Sequence, residues 1–141
     1  MLGDYKVITK LIREHLEAYN VKAILLFGSR AREVSSKNSD YDLIIVGDFP
    51  ENPKERLKII TDLITNILLD YKIRLSPILL TQEELEEEVN SLSPLIQTIT
   101  LGHKILYDPY HILSEALEKL YERKDLTYIE RGRRWKLKNI I

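Results

Sequence analysis

Short apolar runs and longer segments of helical periodicity alternate along this chain of 141 residues. The continuous runs predict three β-strands, at 22–27, 41–47 and 72–80. Hydrophobic residues at helical spacing predict helices at 4–19, about 29–35, 53–69, 82–90, from 93 onward and 108–123. Strands separated by helices predict a single α/β (α+β) domain, in which helices pack on a mixed β-sheet of three or more strands.

Local signals define several of the predicted helix ends. Asn20 suits a C-cap, and Thr81 followed by Glu84 predicts a capping box. Pro53 and Pro94 suit the first turn of a helix. Proline has no amide hydrogen, and amides in the first turn make no hydrogen bond within the helix in any case. The inward face of the helix that begins at Pro53 is predicted to comprise Leu57, Ile60, Leu63, Ile64, Ile67 and Leu68.

A phosphate-binding turn is predicted at Gly28 and Ser29, where the first strand ends. Glycine has no Cβ, so the backbone amides beside it can approach a phosphate closely. Ser29 adds a hydroxyl donor and is predicted to cap the short helix that follows, while Arg30 and Arg32 supply charge for a triphosphate. A Gly-Ser-Arg turn alone is better explained as an ordinary strand-to-helix connection, so this assignment depends on the residues that follow.

Those residues are Asp40 and Asp42, which open the second predicted strand. Residues two apart on a strand project from the same face, with Cα atoms about 7 Å apart. Carboxylates are ligands that Mg²⁺ prefers, and a two-metal site needs a carboxylate that bridges ions about 3.5–4 Å apart. The Asp pair alone could be a solvated strand start. Separated from Ser29 by ten residues, it predicts a site for one or two Mg²⁺ ions beside a nucleoside triphosphate.

The stretch FGSRAREVSSKNSDYDLIIV resembles the minimal nucleotidyltransferases of the DNA polymerase beta-like superfamily. The resemblance extends more loosely over about residues 4–120, and it implies the polymerase beta-like nucleotidyltransferase fold. It also implies that Gly28 and Ser29 bind the β- and γ-phosphates, and that Asp40 and Asp42 bind Mg²⁺.

The same resemblance implies a reaction and a partner. Enzymes of this family transfer a nucleoside monophosphate from an NTP to an acceptor hydroxyl and release pyrophosphate. The minimal subgroup is often paired with a HEPN-domain toxin, on which it acts as antitoxin by adding AMP from ATP to a tyrosine. The expected partners are therefore a nucleotide and a protein toxin rather than a nucleic acid.

One position departs from the family pattern. A third acidic residue is expected on the strand before Ser76-Pro77, and Arg74 stands there instead. A guanidinium cannot ligate a cation and stays charged at ordinary pH. Either Asp70 reaches in from the preceding turn, or the metal that activates the acceptor is poorly held.

Two other functions therefore stay open beside the enzyme. The chain could be a nucleotide-binding antitoxin or regulator whose turnover is weak or lost through Arg74. An RNA-tailing enzyme would usually carry an additional large helical domain, for which 141 residues leave no room.

Composition narrows the class of protein without choosing a reaction. A hydrophobic content of 44% supports one core, and a formal net charge of −1 does not favour nucleic-acid binding. The chain has no cysteine, no apolar run long enough to span a membrane and no signal-peptide core, so we expect a cytoplasmic protein. A homo-oligomer is compatible with the sequence. His15, His103 and His111 lack metal-ligand spacing and are predicted to lie on the surface.

The C-terminal segment has a different composition from the rest of the chain. We predict a nucleotidyltransferase domain at 1–125 and a basic tail at 126–141. Residues 123–141 include seven Lys or Arg and two acidic residues, which gives a net charge of +5. This segment could be a frayed tail, a lid over the triphosphate, a docking arm for an acidic partner, or an RNA contact in which Trp135 stacks on a base.

Overall fold

The structure, a computed structural model, describes residues 2–35, 39–122, 126–131 and 134–139, with side chains for 4–35 and 39–122. The helices are α1 (Leu2–His15), α2 (Gly28–Ala31), α3 (Pro53–Tyr71), α4 (Gln82–Ser91), α5 (Pro94–Thr100) and α6 (Ile112–Tyr121), with a 3-10 turn at Glu17–Tyr19. The strands are β1 (Ala23–Phe27), β2 (Tyr41–Val46), β3 (Leu75–Leu80), β4 (His103–Tyr107), β5 (Leu126–Arg131) and β6 (Arg134–Asn139).

A mixed four-stranded sheet organises the chain, in the order β3-β2-β1-β4. Strand β1 is antiparallel to both β2 and β4, whereas β2 and β3 run parallel. The predicted mixed sheet with packed helices is therefore confirmed. Strand β4 adds to the three strands predicted individually, because its five residues include two polar ones and give little apolar signal.

Side chains on the two faces of the sheet enter two separate cores. The α1-side core joins α1 and α3 to one face, where Leu43 and Ile45 of β2 are buried. The α6-side core joins α4, α5 and α6 to the other face, where Ile44 and Val46 are buried. This alternation follows from the two-residue period of a strand. It therefore shows which face of the sheet each residue of β2 projects from.

Helix α3 packs on the sheet through a narrower stripe than the sequence predicts. Ile59, Leu63 and Ile67 are buried in the α1-side core. The predicted inward set was wrong for Leu57 and Leu68, which are 63% and 38% exposed. A helix on one face of a sheet buries mainly residues four apart, so part of its apolar content remains at the surface.

Helix caps largely follow the sequence. The Thr81–Glu84 capping box is confirmed, and Arg56 of α3 donates from Nη1 to the Glu84 carboxylate at 2.7 and 2.9 Å. The last helix begins later than predicted, at Ile112. Its first turn is capped instead by Asp108, whose carboxylate accepts hydrogen bonds from backbone amides at 3.1 and 2.9 Å.

Strands β5 and β6 pair antiparallel in a separate two-stranded sheet. The predicted tail at 126–141 thus contains regular strands, but the side chains of Trp135 and the basic residues there lie outside the described residues. The boundary between 1–125 and 126–141 stays a prediction. Within the described part of the chain, none of the helices combines the length and apolar content needed to cross a membrane.

Candidate active site

The turn after β1 lies against the start of β2. Phe27 pairs with Asp42 across these antiparallel strands, and Gly28 follows with a φ of +74°. A Cβ on residue 28 would stand 3.1 Å from Cγ of Asp42 and would overlap its Oδ2. Both the left-handed backbone and the missing side chain therefore require glycine here.

Ser29 lies within the first turn of α2, not at its cap. The helix begins at Gly28, and its N-cap is Phe27, which has no side-chain capping bond. The predicted capping role of Ser29 was therefore wrong, because the left-handed glycine starts the helix one residue earlier. The half-buried Ser29 remains beside the Gly28 turn.

The two arginines of the motif point to different places. Arg30 donates from Nε and Nη2 to the carbonyl oxygen of Ser39 at 2.9 and 2.7 Å, and its guanidinium stacks 3.9 Å from the centroid of the Tyr41 ring. Arg32 is exposed, with Nε 3.4 Å from the carbonyl oxygen of Gly28. The predicted delivery of positive charge to a triphosphate thus suits Arg32, while Arg30 is directed to the loop that carries Asp40.

Asp40 and Asp42 lie at the start of β2, next to the Gly28 turn, and belong to the face of the sheet that carries the α6-side core. Asp40 is exposed and Asp42 is half-buried. Burial and the nearby negative charge of Asp40 raise the pKa of Asp42, although a hydrogen bond from Ser76 opposes the shift. Two carboxylates that repel each other in this way form a donor set that a divalent cation would satisfy.

No group of three His, Cys, Asp or Glu side chains suited to hold a metal occurs among residues 4–35 and 39–122. Magnesium commonly uses only one or two protein carboxylates and takes its other ligands from water and substrate phosphates. The pair of Asp40 and Asp42 fits that pattern for a nucleotide-side ion. A second, acceptor-side ion would have fewer protein ligands.

Comparison with known proteins agrees with this arrangement. Residues 9–109, more than half of the chain, match the family described as polymerase beta, nucleotidyltransferase. The chain belongs to this nucleotidyltransferase family. A Methanocaldococcus jannaschii relative, the candidate protein adenylyltransferase MJ1305, is 30% identical over 146 residues, which cover 98% of this chain and 99% of the relative.

Solved structures confirm the polymerase beta-like nucleotidyltransferase fold. A toxin-antitoxin structure with AMP-PNP aligns with a TM-score of 0.53 at 16% identity, over 79% of this chain and 82% of the other. A structure of a tri-AMPylated Shewanella oneidensis HEPN toxin in complex with its MNT antitoxin aligns with a TM-score of 0.51 at 17% identity, over 86% and 84% of the two chains.

Two residues that lie in the same row across the sheet as Asp42 were not singled out from sequence as part of this region. Ser76 is in register with Asp42 across the parallel β2–β3 pair and hydrogen-bonds its carboxylate. His103 pairs with Phe27 on the other side and is half-buried, with Nδ1 3.2 Å from the carbonyl oxygen of Ile99, so the surface prediction for it was incomplete. Only the strand register, which sequence does not give, reveals this row of residues.

The family's third carboxylate has no counterpart on β3. Arg74 precedes the strand, is exposed, and accepts a hydrogen bond at its carbonyl from the Tyr41 amide at 2.9 Å. Strand alternation gives Arg74 the same face as Ser76. Asp70 lies in the last turn of α3, whose buried residues belong to the α1-side core. The helix thus packs on the face of the sheet opposite to Asp42, which disfavours Asp70 as a substitute ligand.

Proposed function

We propose that this protein transfers AMP from ATP to a hydroxyl group of a protein, with Mg²⁺ held by Asp40 and Asp42. The carrying observation is the contact between the Gly28 turn and Asp42. It sets backbone that can receive a phosphate beside a carboxylate that can bind the accompanying metal. The M. jannaschii relative, named as a candidate protein adenylyltransferase, supports adenylyl transfer to protein.

In this proposal, the motif residues bind and orient the triphosphate. Gly28 admits the phosphate to the backbone, the Ser29 hydroxyl donates to a leaving-group oxygen, and Arg32 adds positive charge from the end of α2. Bound Mg²⁺ supplies charge neutralisation at the phosphates. The protein contributes chiefly by holding the α-phosphorus in line with the attacking hydroxyl, since positioning and charge dominate such transfers.

The proposed acceptor is a tyrosine of a HEPN-type toxin, for which this protein would be the antitoxin. The tyrosine oxygen bonds to the α-phosphorus, the bond to the bridging oxygen breaks, pyrophosphate leaves, and the phenolic proton passes to solvent. Support comes from the similar fold of an MNT antitoxin in complex with a tri-AMPylated HEPN toxin. The net charge of −1 gives no general attraction for nucleic acid.

A second candidate function is nucleotide binding without turnover. Arg74 shares the strand face of Ser76, close to where the family places an acid, and a fixed positive charge there opposes an acceptor-side cation. An antitoxin or regulator of this kind would bind ATP with Mg²⁺ and transfer no AMP.

A transfer assay with labelled ATP, Mg²⁺ and a HEPN-type toxin from the same genome distinguishes these two functions. For transfer, we expect label on a toxin tyrosine, located by mass spectrometry, and its loss in Asp42→Asn. Asp62→Asn is the matched control, because Asp62 is exposed on α3 away from the pair. ATP binding with label on neither toxin nor enzyme would favour the second function. Absence of Mg²⁺-dependent ATP binding would reject both.

A further inference from the structure

Arg30 holds the chain on both sides of Asp40. Its Nε and Nη2 both donate to the Ser39 carbonyl oxygen, at 2.9 and 2.7 Å, and its Cζ lies 3.9 Å from the centre of the Tyr41 ring. Ser39 and Tyr41 are the immediate neighbours of Asp40 in sequence. The guanidinium therefore restrains the backbone from which the exposed Asp40 carboxylate projects.

This guanidinium stacks on the face of the sheet opposite to the carboxylates. Tyr41 is buried in the α1-side core, and Asp4 and Tyr5 of α1 are close enough to contribute to the raised pKa that burial chiefly gives it. Asp40 and Asp42 alternate with Tyr41 along the strand and project to the other side. A side chain that stacks on Tyr41 is thus turned away from the phosphate-binding face.

Arginine is the residue type suited to this double contact. Its planar fork can direct two N–H groups at one oxygen, and the same plane can stack on an aromatic ring. Lysine would keep the charge and lose both the paired hydrogen bonds and the planar stacking. A phosphate ligand, by contrast, would retain much of its effect as lysine, because a point charge also attracts phosphate.

We propose that Arg30 is a positioning residue that fixes Asp40, and with it the metal-binding pair, relative to the Gly28–Ser29 turn. The inference rests on the proposed function, because it assumes a metal at the Asp pair. Arg30 belongs to α2 and its contacts lie at the entry to β2, so it links the phosphate-binding turn directly to the metal-binding strand. Substitution of residues that orient metal ligands typically changes metal affinity roughly 10–100-fold.

Calorimetric titration of ATP, with Mg²⁺ and with EDTA, tests this role in wild type, Arg30→Lys and Arg30→Met. We expect both variants to bind metal-free ATP within about twofold of wild type and to lose roughly 10–100-fold of the affinity gained with Mg²⁺. Arg32→Met is the matched control, because Arg32 is the C-cap of the same helix. As a phosphate contact, Arg32 should instead affect metal-free and metal-bound affinity alike.

Thermal unfolding establishes that each variant is folded, and the lysine variant decides the question if Arg30→Met is not. Equal weakening with and without Mg²⁺, largely rescued by lysine, would show that Arg30 contacts phosphate and would overturn the inference. So would an undiminished Mg²⁺ gain in both variants. A wild type without any Mg²⁺ gain would reject the proposed function itself, which is a distinguishable result.

Discussion

The Gly28 turn and the Asp42 carboxylate occupy adjoining space, such that a single added carbon on residue 28 would overlap Oδ2 of Asp42. Any side chain at position 28 would have to displace the Asp42 carboxylate. In the proposed function, the turn gives a phosphate close access to the backbone and the carboxylate is a metal ligand. Their contact therefore joins the two halves of the motif into one site, although 13 intervening residues separate them in sequence.

Gly28→Ala tests this contact. The new Cβ meets Asp42, and the φ of +74° is strained for alanine, so we expect a loss of about 1–2 kcal/mol in the free energy of unfolding together with lost Mg²⁺-dependent ATP binding. Gly47→Ala is the control. It also adds a Cβ in a tight position, 3.0 Å from the Tyr19 carbonyl oxygen, but at the other end of β2 from Asp42. A Gly28→Ala protein with wild-type ATP and Mg²⁺ affinity would contradict the assignment.

Asp42→Asn should separate stability from function. Because the folded-state pKa of Asp42 is raised above the ordinary 3.8, the folded protein binds this proton more tightly than the unfolded chain does. Ionised Asp42 therefore lowers stability as pH rises through the raised pKa, whereas at pH below 3.8 the penalty is absent. Asn removes the charge, so metal-free Asp42→Asn should unfold at a higher temperature than wild type at pH 7.

Added Mg²⁺ with ATP should reverse this order. A ligand that binds only the folded protein stabilises it, so we expect the Tm of wild type to rise and that of Asp42→Asn to change little. Thermal unfolding at pH 3.5 and 7, with and without Mg²⁺–ATP, measures both effects. If Asp42→Asn is instead less stable than wild type at pH 7 without metal, the hydrogen bond between Ser76 and the wild-type Asp42 carboxylate outweighs the charge penalty.

The sequence predicts the fold well because its strongest signals are local. The β1 and β2 runs, the prolines that open α3 and α5, and the Thr81–Glu84 capping box each act over a few residues. The fourth strand and the second apolar stripe of α3 depend on packing partners distant in sequence. Local periodicity cannot say which of two adjacent apolar stripes, such as those of Leu57 and Ile59, will meet the sheet.

The site residues illustrate the same limit. The spacing of Gly28 and Asp42 in sequence is enough to predict that they share a site. The two residues lie side by side in the structure because β1 and β2 are adjacent strands. Spacing cannot direct a side chain, so Arg30 resembles a phosphate ligand in sequence, although its guanidinium stacks on Tyr41. Likewise, Ser76 becomes a neighbour of Asp42 only through the register of the parallel β2–β3 pair.

Glu84→Ala should destabilise the protein without affecting the site. Burial opposes ionisation of Glu84, but hydrogen bonds from Thr81 and Arg56 outweigh it and lower the pKa of the carboxyl below 4.5. Its stabilising effect is therefore present above pH 4.5 and is lost as pH falls through the lowered pKa. Loss of this cap should cost about 1–2 kcal/mol in denaturant unfolding at pH 7.

Glu83→Ala is the control for that measurement, because Glu83 is exposed in the same turn of α4. Mg²⁺-dependent ATP affinity should match wild type in both variants, since α4 begins at the opposite end of β3 from Ser76. A Glu84→Ala protein as stable as wild type at pH 7 would mean that the capping box and the Arg56 contact contribute nothing measurable.

Arg74→Asp should increase AMP transfer. Arg74 shares a strand face with Ser76, so its replacement removes a positive charge near the Asp pair and adds a carboxylate that can ligate an acceptor-side cation. We expect transfer of labelled AMP to rise at least about tenfold, equivalent to about 1.4 kcal/mol in the activation free energy. The initial rate at saturating ATP measures this effect, since ATP binding itself should change less.

Arg74→Gln is the control for Arg74→Asp, because it removes the charge without adding a ligand. A gain in Arg74→Asp well above that in Arg74→Gln would identify the missing carboxylate as the limit on the wild-type rate. Equal gains in both would attribute the limit to charge repulsion alone. An active wild type that Arg74→Asp inactivates would contradict the prediction, because Arg74 would then be needed for the reaction, as it would be if its guanidinium contacts the nucleotide phosphates.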